Sequence, residues 1–148
     1  MVYKKDLSKG LFLDSYEILI EWKISENDFL EKIKDIDYEK EEHKDFKCSL
    51  YRIKTSVLNL DKIFRFTFNF VNKKLRSISV TNYKYFIKNI NDSYSVVNKF
   101  LEKNLGSPNK IYEVNDEVTT VWKFRLIKIV HSLINRFGLE ERLQIIIR

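Results

Sequence analysis

With only three glycines, one proline and one cysteine among its 148 residues, the chain lacks the raw material for several classes of function. Gly10, Gly106 and Gly138 lie far apart, so no glycine-rich loop exists whose bare backbone could cradle phosphate, as a P-loop or dinucleotide fingerprint requires. The lone Cys48 has no disulfide partner. With His43 and His131 it cannot supply four soft ligands at the local spacing of a structural zinc site. No metal and no cofactor are therefore expected. As a nucleophile Cys48 would need an activating base, and nothing near it in sequence provides one; within an alternating stretch it reads as a small core residue. No run approaches the roughly 18–20 apolar residues that span a bilayer: the most apolar, Leu126–Ile134, is cut by Lys128, His131 and Ser132. The segment MVYKKDLSKGLFLDSYE has neither the apolar h-region nor the cleavage site of a signal peptide, which leads us to expect a cytoplasmic protein.

What is abundant is apolar and aromatic surface. Hydrophobic residues make up 44% and aromatics 14% of the chain, enough to offset the entropy of ordering it, and its length suits one domain spanning residues 1–148. The net charge of +6 would ordinarily point to an anionic partner. Lysine, however, rises together with Ile, Asn and Tyr while Gly, Pro and Ala are scarce, the bias of AT-rich coding, so lysine count alone does not define a patch. The charges are uneven in sequence: acids dominate Asp14–Asp45 and bases dominate Lys47–Lys128. A fold that separates these stretches would be electrically two-sided, and one that interleaves them would not.

Period and punctuation predict the elements. Ser15–Ile24 alternates as a strand. Ser25 then stands three residues before Asp28, and Phe29, Leu30, Ile33 and Ile36 follow at helical spacing, predicting a helix from Glu26 to about Asp37. Tyr38–Asp45 reads as exposed charged chain. From Phe46 the period is two, and in KIFRFTFNFV the rings of Phe64, Phe66, Phe68 and Phe70 share one face; as a row they read as core more than as a base-stacking platform. Asn72-Lys73-Lys74 predicts a hairpin into Leu75–Val80. Asn91-Asp92-Ser93 caps a second helix that Gly106-Ser107-Pro108 stops. Strands follow over Thr119–Arg125, Ile127–Asn135 and Leu143–Arg148, with Leu139–Arg142 in the last turn. A helix followed by three strands thus occurs twice, over residues 26–80 and 93–148. The expected fold class is α+β: a two-layer antiparallel sheet with the helices on one face, built from two α-β-β-β units.

Few residues carry chemistry. His131 could act as a base with Asp116 or Glu117, or be a satisfied buried histidine. Asp116-Glu117 and Glu140-Glu141 read as solvated turns, since adjacent acids on a strand point apart. The basic residues between Lys62 and Lys88, interleaved with Tyr83, Tyr85 and Phe86, form the best nucleic-acid candidate, without an RRM or helix-turn-helix pattern.

Trp122-x-Phe124, Ile129-x-His131 and Arg136-Phe137-Gly138-x-Glu140-Glu141-x-Leu143-x-Ile145 together resemble the C-terminal strand pair of small bacterial immunity proteins from polymorphic-toxin and contact-dependent inhibition loci. The resemblance covers the last quarter of the chain. It implies a cytoplasmic, cofactor-free α+β protein that neutralises one toxin by binding it, and it carries over no catalytic residue. The basic character departs from the acidity common in inhibitors of nucleases, which leaves the toxin class open.

The expected function is therefore a non-enzymatic protein-binding module, with a cognate toxin as partner and Tyr83, Tyr85, Trp122, Arg125 and Arg136 as candidate anchors. Trp122 is also a candidate core residue. The alternatives are nucleic-acid binding through Lys62–Lys88, and a small-ligand site in an α+β cavity. A sheet-mediated homodimer is compatible with helices on one side only.

Overall fold

A computed structural model describes residues 7–57, 63–81, 90–135 and 138–148. A short hairpin, β1 (Gly10–Leu13) and β2 (Ile18–Glu21), precedes helix α1 (Glu26–Lys32). Strands β3 (Glu39–His43), β4 (Cys48–Thr55), β5 (Phe64–Val71) and β6 (Lys74–Thr81) follow, then helix α2 (Ile90–Leu105). The chain closes with β7 (Lys110–Val114), β8 (Glu117–Lys123), β9 (Ile127–Asn135) and β10 (Leu139–Ile147). The last eight strands make one antiparallel sheet in the order β3-β4-β5-β6-β10-β9-β8-β7. Two four-stranded meanders thus meet along β6 and β10, with Ile78 opposite Ile145 and Ser79 opposite Gln144. The strand order reads alike from either edge inward, and a helix precedes each meander.

Local chemistry accounts for the boundaries. The Ser25 hydroxyl accepts from the Asp28 N–H at 3.2 Å and starts α1. The Glu26 N–H donates to the Lys73 carbonyl at 3.0 Å and ties this helix end to the β5–β6 hairpin. Both residues of that hairpin's turn, Asn72 and Lys73, have positive φ, as do Asn115 and Asp116 between β7 and β8. Such two-residue turns match the twist of the paired strands. Gly106, at φ 87°, ends α2 by donating its N–H to the Glu102 carbonyl.

The phenylalanine row of β5 is core, with Phe68 and Phe70 wholly buried. Phe29 of α1 packs against Tyr51, Phe68 and Phe70 at centroid distances of 5.3, 5.0 and 4.9 Å. Tyr94 of α2 stacks on His131 at 4.2 Å. The indole N–H of Trp22 donates to the Leu7 carbonyl at 2.7 Å, inside the same core.

Several expectations are corrected. Each meander has four strands, because β3 and β7 add themselves at the edges; all five residues of each are exposed, so neither carries the one-sided apolar period that marks a half-buried strand. Ser15–Ile24 is not one strand: the chain turns at 14–17 and pairs Ile18–Glu21 with Gly10–Leu13, burying Leu11 and Leu13. Helix α1 stops at Lys32, with Ile33 as its C-cap. Phe46 lies in a 3-10 turn and is 77% exposed. Strand β8 starts and stops two residues early, and Leu139–Arg142 belongs to β10, paired with β9. Acids and bases of the first meander interleave: Glu39 pairs with Arg65 at 2.7 Å and Glu41 lies 3.4 Å from Arg52.

Candidate interaction surface

Strands β8 and β9 are joined by a tight turn closed by the Phe124 N–H donating to the Ile127 carbonyl at 2.8 Å, which leaves Arg125 exposed at its tip. Directly beneath, Lys123 stands opposite Lys128 in register. Both point away from the buried Trp122 and Ile129, their strand neighbours. Lys110 pairs with Val121 one strand out. The end of the chain folds onto this turn: the Arg148 N–H donates to the Leu126 carbonyl at 2.9 Å and its guanidinium to the Phe124 carbonyl at 2.6 Å. Lys23 donates its ammonium to the Arg148 carbonyl.

Lys23, Lys110, Lys123, Arg125, Lys128 and Arg148 thus lie toward the β8–β9 turn end of the sheet, and among the described residues none of them ion-pairs with an Asp or Glu. Like charges directly opposite on a sheet destabilise it. An uncompensated cluster of this kind attracts negative charge and steers its approach.

Of the described anchors expected from sequence, Arg125 lies in this cluster and Trp122 does not. Trp122 is corrected to core: it is 1% exposed and its indole N–H donates to the Gly106 carbonyl at 2.9 Å. Tyr83, Tyr85 and Arg136 lie outside the described residues, as do Lys62, Lys84 and Lys88 of the expected nucleic-acid region. Within that region Arg65 is already paired with Glu39. Sequence reading missed Lys23, Lys110 and Arg148 because nothing local links them; the run Lys123-x-Arg125-x-x-Lys128 is the trace it could have used.

The candidate base is sealed. The His131 side chain is 0% exposed and that of Glu141 4%. His131 Nε2 donates to Glu141 Oε2 at 2.6 Å, and Nδ1 lies 2.9 Å from the Asn98 amide oxygen. Ser93 donates to the other Glu141 oxygen at 2.6 Å. The Tyr94 hydroxyl lies 2.9 Å from that of Thr120, and burial pushes its pKa up. His131 therefore meets Glu141 rather than Asp116 or Glu117. Glu117 accepts from the Asn135 N–H at 3.0 Å, and Glu141 is no solvated turn residue. A network so enclosed pins α2 to β9 and β10 and offers no atom to a substrate. Cys48 is corrected as well: it is half-buried and its thiol donates to Asn69 at 3.0 Å.

Between α2 and the sheet lies an apolar cavity of about 160 Å³. Strand residues Phe66, Val80, Ile129 and Ile145 line one side of it and Val97 and Leu101 of α2 the other. A second, polar cleft of about 420 Å³ is bounded by Tyr16, Asp37, Tyr38, Glu39, Arg52, Lys54 and Arg65, where acids and bases face each other.

Among the described residues no group of three or more His, Cys, Asp or Glu could hold a metal ion, and no helix is long and apolar enough to cross a membrane. Compared with protein-family models, curated proteins and solved structures, the chain has no match.

Proposed function

We propose that the chain is a non-enzymatic protein-binding module, an immunity protein that neutralises a cognate bacterial toxin by direct binding, and that it docks through the basic cluster around Arg125. The observation that carries this reading is a group of six cations with no Asp or Glu partner among the described residues, two of them held opposite each other at a cost to the sheet. Of the residues that carry the immunity resemblance, Trp122 falls on β8, Ile129 and His131 on β9, and Glu140, Glu141, Leu143 and Ile145 on β10, the strands that build the cluster's support. Lys123 and Lys128 project from the sheet face opposite the buried Trp122 and Ile129, and that is the face we assign to the partner. Such a surface selects an acidic protein, and its charge sets the rate and register of association.

The test begins with the tagged chain captured from its native cells under nuclease treatment. The reading expects a stoichiometric protein that arrests growth when expressed alone and is silenced by co-expression of this chain. Arg125→Glu combined with Lys128→Glu should lower affinity about 100-fold and abolish the rescue. Rescue that survives the double reversal would remove the cluster from the interface. Nuclease-sensitive material whose binding falls steeply with salt would instead favour a nucleic-acid partner.

A further inference from the structure

The cavity between α2 and the sheet is a second site, independent of the basic cluster. We propose that it binds a small uncharged apolar molecule, one aromatic ring or an alkyl group of similar bulk. Its described lining is apolar throughout. A buried water needs two to four polar partners, and an apolar cavity of about 150 Å³ stays dry yet accepts benzene or xenon. At about 160 Å³ this pocket, open to solvent on one side, has the size and the apolar lining for such a guest, while a charged or strongly polar one would find no polar partner in its described lining.

The position is also that of a site. Phe66 and Val80 come from the first meander and Ile129 and Ile145 from the second, so an occupant touches both halves of the sheet and α2 at once. Val96, 43% exposed, lines the cavity as well and marks where it approaches solvent. Interiors are otherwise close-packed, and one larger side chain at Val97 or Val80 would close the space.

The experiment uses the full chain with benzene and xenon as probes. Near-saturating benzene should raise the melting temperature by about 3 °C or more. Xenon should shift the methyl resonances of Val80, Val97, Leu101 and Ile129 while leaving Val114 and Val130 in place. Val97→Phe should abolish both responses; if that variant does not fold, Val80→Leu serves the same purpose with a smaller change. An unmoved melting temperature with unmoved methyl resonances in the unaltered chain would overturn the proposal. So would responses that persist undiminished in a folded, filled variant.

Discussion

His131 Nε2 stands 2.6 Å from Glu141 Oε2, and both side chains are withdrawn from water. The two are diagonal neighbours on paired strands, since Leu143 is opposite His131 and Glu141 opposite Leu133. Diagonal positions on one face lie within reach of long side chains. Ser93 takes up the second carboxylate oxygen, so the acid is fully engaged and its removal strands two buried partners at once. Glu141→Ala should destabilise the protein by about 3 kcal/mol, read from urea unfolding. A loss below about 0.5 kcal/mol would show the pair to be energetically idle.

Lys123 and Lys128 oppose each other without an acid between them. Lys123→Glu replaces repulsion with attraction and should raise stability by about 0.5 kcal/mol. If the proposed docking surface is right, the same variant binds its partner more weakly. A stabilised protein that binds less well is the signature of charge retained for function, and chemical denaturation beside titration calorimetry measures both sides.

Gly10 begins β1 where a Cβ would sit 2.1 Å from the Ile20 carbonyl oxygen. That neighbour is backbone in a paired strand and cannot swing aside. Gly10→Ala should cost at least about 2 kcal/mol, visible as a lowered denaturation midpoint. Gly138→Ala meets open space at φ 114° and should cost only about 1–2 kcal/mol, from backbone strain alone.

Tyr51 is buried, and its hydroxyl donates to Glu26 Oε2 at 2.8 Å. Burial first, and then the Glu26 carboxylate, pushes the phenol up to about 12. The folded state thus holds a proton that the unfolded chain releases near pH 10. Stability from this group is complete below that pH and declines as pH rises from about 10 to about 12. Tyr51→Phe should remove part of that alkaline decline and, with the hydrogen bond gone, cost about 1 kcal/mol at neutral pH. Unfolding free energies at pH 8 and pH 11 for both proteins test the difference.

The sequence by itself determined the elements that bury one face. Alternation made the β5 row legible from Phe64 to Phe70, and Ser25 and Gly106 marked where helices begin and end, because caps and one-sided burial act within a few residues of chain. Strand β9 was legible from Ile127 to Asn135 for the same reason, and so was the Asn72-Lys73 turn. The edge strands β3 and β7 were not, since residues solvated on both faces lose the period and become strands only when β4 and β8 present backbone to pair with. Tertiary structure alone decided that Glu141 is buried, because its partners Ser93 and His131 arrive from α2 and β9. It alone brought Lys23 and Arg148 to the turn at Arg125. Local periodicity records which face meets the core, whereas a charge's environment is set by whatever distant chain folds beside it.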